Sequence, residues 1–315
     1  MSTATPMRVV FGETLCELGD EFPNMVVLDA DVSSSTQTKL FGQKYPSRFF
    51  NVGIAEANMV AMAAGMATAG LIPIASTFAF LLATRAADPV RSLVAYGELN
   101  VKLAGGYAGL SDYADGATHQ AIADLAFMQA VPHIVSIVPS DITTTRKAVR
   151  AMLEHDGAVY LRLSREAVAK EYADDLPFTI GKGTLICDGS DVTIIATGVP
   201  VRYARAAAGQ LKARGIRARL IDMHTVKPLD MRLVEDAARD TGAIVTVEEH
   251  NIHGGLGAAV CAAVCERAPV PVLRCGVPDR FGESGAYEEI LARAGISTAH
   301  IVALAEQAVA MKERF

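Results

Sequence analysis

Residues 49–84, FFNVGIAEANMVAMAAGMATAGLIPIASTFAFLLAT, set the architecture of this chain, because apolar and small side chains fill almost all of the stretch. The pattern predicts a strand at Phe49–Val52, a helix at Glu56–Thr68 and a strand at Ile72–Ala75. Glu56 is the one ionisable side chain here, and burying it unpaired is costly, so it needs a partner or must hold a proton. Such carboxyl groups serve general acid–base chemistry, although a structural Glu that caps a helix or pairs with a distant Arg fits the same pattern.

The alternation of strands and helices continues along the whole chain. It predicts an α/β fold of two open domains, each with a mostly parallel sheet flanked by helices. A charged, turn-rich segment at 165–190 separates two such patterns, which places the domains at residues 1–183 and 184–315. The further predicted strands are Met25–Leu28, Val101–Leu103, Ile134–Val138, Ala158–Leu163, Val192–Ala196, Ala218–Ile221, Ala243–Val247 and Val272–Arg274. The further predicted helices are Gly12–Asp20, Ala86–Ala95, Gln120–Phe127, Asp141–His155, Pro200–Arg214, Arg232–Asp240, Leu256–Glu266 and Thr298–Lys312.

Composition argues against several classes of function. The 315 residues carry a formal net charge of −6, and no cluster of Lys and Arg offers a surface for nucleic acid. The N-terminal sequence MSTATPMRVV lacks the apolar core of a signal peptide, and polar residues interrupt the long uncharged stretches, so no membrane association is expected. Five cysteines without a CxxC pair favour core thiols in a reducing cytoplasm.

Polar residues follow the ends of several predicted strands in the first domain. In open α/β sheets, ligands bind beyond the carboxyl ends of the strands. We therefore expect these polar segments to meet at one edge of the sheet and to form an active site. The segments are Asp29 with Asp31, Glu56, Ser76–Phe78, Tyr107–His119 and Ser164–Arg165.

Three motifs admit both a functional and a structural interpretation. DGATHQ (Asp115–Gln120) offers an Asp–His pair in a glycine-rich loop, or an Asx-turn in which Thr118 caps the next helix. YLRLSRE presents Arg162 and Arg165 as planar forks for phosphate or carboxylate, or as a surface pair. EEHNIHGGLGAAV, which starts at Glu248, is typical of a tight structural turn before a helix, with two histidines that could reach an interface.

Taken together, these segments resemble the C-terminal half of transketolase, which some organisms encode as a separate subunit. The resemblance covers essentially the full length, as a pyrimidine-binding domain followed by the transketolase C-terminal domain. It implies transfer of a two-carbon ketol unit from a ketose phosphate to an aldehyde acceptor. The motifs that carry it are RFFNVGIAEANM (Arg48–Met59), STF (Ser76–Phe78), DGATHQ (Asp115–Gln120), LSR (Leu163–Arg165) and EEHNIHGGLG (Glu248–Gly257).

The resemblance implies that thiamine diphosphate is the cofactor and that this chain binds its aminopyrimidine ring. Glu56 would hydrogen-bond the ring nitrogen N1′ and begin the proton relay that activates the cofactor, an electron sink. Phe78 would pack against the ring. The second aromatic of the family falls on Leu81, so either Leu81 or the adjacent Phe80 would complete the pocket. Asp31 falls at a family position near the cofactor.

A site for the donor sugar is implied in the same way. His119 would contact the hydroxyls of the donor as a second catalytic residue, and Asp115 would bind a sugar hydroxyl. Arg165 would bind the phosphate of the substrate. Arg8 and Ser35 fall where family members place further phosphate contacts.

Tyr107 departs from the family pattern. Typical transketolases carry a phosphate-binding His at this place upstream of DGxTHQ, so a neutral phenol replaces a group that can be cationic. We therefore hypothesise that the preferred donor lies outside the usual pentose phosphate set and is a branched or otherwise modified ketose phosphate.

A partner subunit is implied by what the chain lacks. No segment resembles the GDG…N sequence that holds the diphosphate and its divalent metal in this family. The N-terminal subunit of transketolase would carry that part and Mg²⁺, and this chain alone would be inactive. The resemblance thus implies a cytoplasmic heterotetramer with its active site at a subunit interface. The surfaces for the partner and for self-association are expected at the small-residue helix Ala57–Ala69 and the C-terminal domain.

Three other interpretations remain open. The β subunit of a 2-oxoacid dehydrogenase shares the two-domain plan, the pyrimidine-binding Glu and the GGLG turn, although DGATHQ with a downstream LSR favours a sugar phosphate. Deoxyxylulose-phosphate synthase is a second alternative, but it is normally one fused chain, which argues against it for a sequence of 315 residues. A non-catalytic subunit of the same fold would not need Glu56, Phe78 and His119 together.

Overall fold

The structure is a computed structural model that describes residues 4–312. It contains two open sheets covered by helices and one short ribbon, so the predicted α/β architecture is confirmed. The strands are β1 (Thr5–Pro6), β2 (Met25–Asp29), β3 (Phe49–Asn51), β4 (Ile72–Phe78), β5 (Lys102–Gly106), β6 (Ile134–Ile137), β7 (Ala158–Arg162), β8 (Ala167–Val168), β9 (Thr184–Cys187), β10 (Val192–Ala196), β11 (Ala218–Asp222), β12 (Thr225–Lys227), β13 (Ile244–Asn251) and β14 (Val272–Val277). The helices are α1 (Met7–Leu18), α2 (Ser33–Thr36), α3 (Lys39–Lys44), α4 (Glu56–Thr68), α5 (Ala79–Ala83), α6 (Ala87–Pro89), α7 (Asp124–Ala130), α8 (Ile142–Glu154), α9 (Val201–Ala213), α10 (Met231–Thr241), α11 (Leu256–Arg267), α12 (Tyr287–Arg293) and α13 (Thr298–Lys312).

The first sheet has seven strands in the order β12-β6-β7-β5-β4-β2-β3. Its neighbours pair in parallel, except that β12 runs antiparallel to β6 at the edge. Strands β2, β5 and β7 are buried along their whole length, as expected for parallel strands that helices cover on both faces. The stretch at 49–84 forms β3, α4 and β4, and α4 has the predicted bounds.

The second sheet has five strands in the order β14-β13-β10-β11-β9, with β9 antiparallel at one edge. The two halves of the chain also share a sheet. Strand β12 comes from the second half but completes the first sheet, where Thr225 pairs with Ile137 and Lys227 pairs with Ser136. The domain boundary near residue 183 stays a prediction, because this strand ties the two halves together.

Three predicted helices have clearly different bounds in the structure, and helices α2, α3, α5 and α12 were not predicted. Helix α1 begins at Met7 rather than at Gly12, which places Arg8 in its first turn. Helix α7 begins at Asp124 rather than at Gln120, because the segment before it is held in isolated bridges to the preceding loop. The predicted helix Ala86–Ala95 is split into α6 and a π-helical turn at Val90–Ala95, which starts directly after a proline.

The C-terminal stretch Tyr287–Lys312 is long and apolar enough to cross a membrane by length and composition alone. In the structure it is not one continuous span, since a turn separates α12 from α13. Ile301 and Val302 of α13 are buried in the same apolar core as the strands of the second sheet. This stretch therefore belongs to the helical cover of that sheet.

The cysteines are less buried than the sequence suggested. Cys275 is buried, whereas Cys187 and Cys265 are exposed and the other two are partly exposed. All five are free thiols, so the prediction of core thiols holds for Cys275 alone.

Candidate active site

Four neighbouring strands of the first sheet end at the same edge. They end at Asp29 (β2), Phe78 (β4), Gly106 (β5) and Arg162 (β7), and a segment with candidate residues follows each end. The strands are parallel and paired in register, so the loops that follow them meet at one edge of the sheet. The structure thus brings together segments that lie far apart in the chain.

Glu56 opens helix α4 and is 4% exposed. Its ion-pair partner is Arg85, whose Nη1 lies 3.9 Å from Glu56 Oε2 and whose side chain is 61% exposed. That distance is too long for a good hydrogen bond, so the pair leaves the carboxylate free to bind another donor. The helix N-terminus also favours a carboxylate here. The structural alternative of a pair with a distant Arg is therefore present, but as a loose contact.

An aromatic group lies at the same edge. The Phe78 ring centroid is 4.6 Å from that of Tyr107 and 6.2 Å from that of His119. The ring of Phe80 is 5.2 Å from the ring of His119 in an edge-to-face arrangement. Leu81 is buried, with 6% exposure. Phe80, rather than Leu81, is therefore the second aromatic that lies against His119.

Two arginines converge on Tyr107, and we call Arg8, Tyr107 and Arg165 the arginine–tyrosine cluster. Arg8 Nη1 donates to the Tyr107 hydroxyl at 2.9 Å and to the backbone carbonyl of Ser35 at 3.1 Å. The guanidinium carbon of Arg165 is 5.1 Å from the Tyr107 ring centroid, within cation–π range. Tyr107 is 5% exposed, so its ring is held between two guanidinium groups. Ser35 enters the cluster through its backbone carbonyl.

Asp31 and Asp115 lie at the exposed rim of the site. Asp31 has a left-handed backbone with a φ of 65°, and its Oδ1 accepts a hydrogen bond from Asn51 at 2.9 Å. Thr118 does not cap α7, which begins at Asp124 and has no side-chain cap. The Thr118 hydroxyl instead lies 3.0 Å from Nδ1 of the next residue, the predicted catalytic His.

Asp29 is structural. It is fully buried, and burial raises its pKa, while hydrogen bonds to the carboxylate oppose the shift. These bonds come from the N–H of Val32 at 2.7 Å and from the hydroxyls of Thr36 at 3.0 Å and Thr38 at 2.7 Å. They build the turn that carries α2 and the Ser35 carbonyl to the arginine–tyrosine cluster.

Asp112 belongs to the site, although sequence reasoning missed it. Its side chain is 0% exposed, and Oδ1 lies 3.3 Å from Nη1 of Arg165. Its other carboxylate oxygen is buried without a hydrogen-bond partner. Burial and the neighbouring Asp115 raise the pKa of Asp112 to about 6, while Arg165 and His119 oppose the shift. The available signal was a second Asp in the glycine-rich loop, three residues before DGATHQ.

Arg162 lies outside the site, and neither sequence interpretation of it holds. Its side chain is 5% exposed and hydrogen-bonds both carboxylate oxygens of Asp124, at 2.7 and 3.1 Å. It also donates to the backbone carbonyls of Ala121 and Glu249, each at 3.0 Å. Arg162 therefore joins strand β7 to helix α7 and to the second half of the chain.

The segment from Glu248 forms the predicted structural turn. The Glu248 carboxylate accepts hydrogen bonds from the N–H groups of Leu256 and Gly257, each at 2.7 Å, at the N-terminus of α11. His250 is 0% exposed, so it does not reach an interface, and burial lowers its pKa to about 4. His253 is exposed.

Residues from the second half of the chain support the loop at 107–120. Glu249 Oε1 accepts the N–H of Leu110 at 2.6 Å, and its Oε2 accepts the hydroxyl of Tyr287 at 2.7 Å. At the other end of the loop, Gln120 Nε2 donates to the backbone carbonyl of Glu283 at 3.0 Å. The second half thus anchors the loop that carries Tyr107, Asp112 and His119.

The residues at this edge suit a flat heteroaromatic ring. A buried carboxylate can hold a proton at a ring nitrogen, and aromatic side chains can cover the ring face. The hydroxyls of Ser76 and Thr77, at the end of β4, are buried without hydrogen-bond partners. An open cleft of about 450 Å³ is lined in part by Phe80, Thr118 and the exposed Phe281. Within residues 4–312, no group of three or more acidic, His or Cys side chains is arranged to hold a metal ion.

Comparison with known proteins adds independent findings. Residues 3–170 match the model for the pyrimidine binding domain of transketolase, and residues 181–301 match the model for the transketolase C-terminal domain. The chain is 38% identical to the 6-deoxy-6-sulfo-D-fructose transketolase subunit SqwH of Clostridium sp. strain MSTE9, over 97% of this chain and 95% of that protein. It is 37% identical to an apulose-4-phosphate transketolase subunit of Phocaeicola vulgatus, over 92% and 93% of the two chains. A solved split gene transketolase, in an inactive β4 tetramer, superposes with a TM-score of 0.92 at 45% identity and covers 98% of this chain and 99% of that one.

Proposed function

This chain belongs to the transketolase family, in the form whose C-terminal section is a separate subunit, and we propose that it holds the aminopyrimidine ring of thiamine diphosphate and the donor sugar. The assembled enzyme moves a two-carbon ketol unit from an anionic ketose to an aldehyde acceptor. The observation that carries the proposal is the buried Glu56 carboxylate at the sheet edge where the aromatic group and the arginine–tyrosine cluster also lie.

The cofactor fits the residues at this edge. When bound, thiamine diphosphate supplies the electron sink for the carbon–carbon bond that breaks. Glu56 holds a proton at the ring nitrogen N1′, a role that its burial and its loose pair with Arg85 leave open to it. Phe78 and Phe80 cover the ring, and Asp31 lies at the exposed rim of the same sheet edge, two residues after β2.

The donor sugar binds next to the cofactor. His119 and Asp115 contact its hydroxyl groups, and His119 is held in place by its edge-to-face contact with Phe80. The arginine–tyrosine cluster binds the charged end of the donor, with Arg8 fixed by Tyr107 and by the Ser35 carbonyl. His119 and Asp115 thus bind the hydroxyl groups of the donor, and the arginine–tyrosine cluster binds its charged end.

The active site is shared with an N-terminal partner subunit that carries the diphosphate and Mg²⁺. Two features support this proposal. The sequence has no GDG…N segment, and the similar split gene transketolase forms an inactive β4 tetramer. We place the complex, a heterotetramer that also contains contacts between copies of this chain, in the cytoplasm.

The surface beside α4 suits such contacts. Ile54 is 75% exposed and lies two residues before the helix, while Tyr96 is 87% exposed and Leu93 is 43% exposed on the π-helical turn that packs against α4. Large exposed apolar side chains are typical of an interface. Ile54 lies at the N-terminal end of the predicted self-association helix Ala57–Ala69.

The donor is a modified ketose rather than the usual pentose phosphates. Tyr107 supports this, because a neutral phenol lies where typical transketolases have a phosphate-binding His. Two similar proteins are named for unusual sugars, a sulfonated fructose and apulose 4-phosphate. Donors outside the usual set therefore occur among the relatives of this chain, which supports a modified donor here.

Glu56→Gln tests the proposed function. The variant keeps the size of the side chain but cannot exchange a proton, so ketol transfer by the complete enzyme should fall by about 100- to 10,000-fold. Transfer is measured with the partner subunit, thiamine diphosphate and Mg²⁺, and circular dichroism confirms the fold. Glu154→Gln is the matched control, because Glu154 is an exposed residue of α8 away from the site. A Glu56→Gln enzyme with the native rate removes Glu56 from the reaction.

A further inference from the structure

Asp112 is a charged group that the proposed reaction does not use. It comes from the loop between β5 and α7, and its carboxylate lies 3.3 Å from the guanidinium of Arg165. The side chain is 0% exposed, so water screens this contact little. Asp112 therefore cancels much of the positive charge that Arg165 brings to the donor site.

The charges around Tyr107 can be added up from the contacts. Arg8 and Arg165 contribute two positive charges, and Asp112 contributes one negative charge, so one net positive charge remains. The pKa of Asp112 is about 6, so the ionised form of the carboxylate predominates at neutral pH. Two further carboxylates act on this cluster. Asp115 is exposed, so solvent screens its charge, and Glu166 interacts more strongly with Arg202 than with Arg165.

A site with one net positive charge suits a ligand with one negative charge. A phosphate monoester carries close to two negative charges at neutral pH, whereas a sulfonate carries one. A second charge in a partly buried site stays uncompensated after it has lost its hydration, which is costly. The Nε of Arg8 is buried without a hydrogen-bond partner, so this guanidinium is not fully satisfied within the protein.

We propose that Asp112 determines the donor specificity of this enzyme, by pairing with Arg165 so that the arginine–tyrosine cluster prefers a ketose with a singly charged end, such as a sulfonate, over a phosphate dianion. The proposal rests on the proposed function and narrows its donor. Asp112 acts through Arg165 and touches neither the cofactor nor the reacting carbons, so it is a specificity-determining residue.

The test compares three donors that share the fructose skeleton and differ only at C6: fructose 6-phosphate, 6-deoxy-6-sulfofructose and fructose. The complete enzyme, with partner, thiamine diphosphate and Mg²⁺, is assayed as wild type and as Asp112→Asn. The wild type should show the highest kcat/KM with the sulfonate. This comparison needs no variant, so it stays informative if Asp112→Asn fails to fold.

The variant should change kcat/KM for each of the three donors in proportion to the charge of that donor. Removing one negative charge should raise kcat/KM for the phosphate about tenfold more than for the sulfonate, and should leave fructose almost unchanged. Asp156→Asn is the matched control, because Asp156 is exposed just before β7, at the opposite edge of the same sheet. It should change none of the three ratios.

Two results overturn the proposal while the proposed function stands. One is a wild type that prefers the phosphate over the sulfonate, and the other is an equal response of all three donors to Asp112→Asn. Absence of ketol transfer with every donor, including xylulose 5-phosphate, overturns the proposed function itself and the specificity proposal with it.

Discussion

Tyr107 fixes the positions of two arginines in the candidate site. It has a φ of 59°, in the left-handed region that few side chains adopt, and this backbone follows directly after strand β5. The turn points its ring between Arg8 and Arg165, where the hydroxyl accepts a hydrogen bond from Arg8. The ring therefore fixes both guanidinium groups without adding charge of its own.

Tyr107→His should restore part of a phosphate site. His is among the residues that tolerate a positive φ, so the backbone turn should survive the change. An imidazole ring has an ordinary pKa of about 6.5, so it carries a positive charge at lower pH. The variant should therefore have a several-fold higher kcat/KM for fructose 6-phosphate than the wild type, with a larger gain at about pH 6 than at about pH 8. The comparison uses the ratio of kcat/KM for the variant to kcat/KM for the wild type at each pH, because the titration of the phosphate and of Asp112 affects both proteins.

Tyr107→Phe is the control, because it keeps the ring and removes only the hydroxyl that holds Arg8. It should weaken the binding of every anionic donor at both pH values. If Tyr107→His behaves like Tyr107→Phe at both pH values, the charge of residue 107 does not govern the choice of donor.

The sequence predicted some elements well and others poorly, for physical reasons. Helix α4 was predicted with its observed bounds, because a run of mostly small and apolar residues follows Glu56 and Gly70 comes shortly after its end at Thr68. Helix α7 was predicted four residues too early, because bridges between Ala108, Gly109 and Ala121 hold the preceding segment. Strand β12 has three residues and pairs with a strand about ninety positions earlier, so no local pattern could reveal it.

Some residues of the candidate site could likewise be predicted from the sequence, and others could not. The motifs predicted Glu56, Phe78 and His119 as site residues, and the structure places them at strand ends and loops that the sheet brings together. Asp112 was missed because its role depends on burial beside Arg165, a contact across 53 positions. For Arg162 the sequence left a ligand-binding fork and a surface pair open, and only the fold shows that its guanidinium instead binds Asp124 and two backbone carbonyl groups inside the protein.

Substitutions of the two arginines of YLRLSRE should have different effects, one on stability and the other on donor binding. Arg162→Met should lower the free energy of unfolding by about 3–5 kcal/mol, because it leaves Asp124 buried and unpaired. Arg165→Met should cost much less stability, since its side chain is 26% exposed, but it should raise KM for anionic donors. Urea denaturation and donor kinetics measure the two effects. A stable Arg162→Met protein with impaired donor binding would reverse these assignments.

At the scale of the whole molecule, the two halves of the chain meet at the proposed site. The second half completes the first sheet through β12, and Glu249 and Tyr287 hold the loop that carries the donor residues. Exposed apolar side chains at Ile54 and Tyr96 remain on the outside of the first domain. If the proposed function holds, the edge that binds the ring is already folded in this chain, and other subunits would close it.

Ketol transfer by separated and mixed subunits tests the central claim most directly. This chain, its N-terminal partner and their mixture are each incubated with thiamine diphosphate, Mg²⁺, the fructose-based donors and ribose 5-phosphate as acceptor. We predict no transfer by either chain alone and full activity in the mixture, with a maximum at equal amounts of the two chains. Transfer by this chain alone, or a mixture that acts on a 2-oxoacid and on no ketose, would contradict the account.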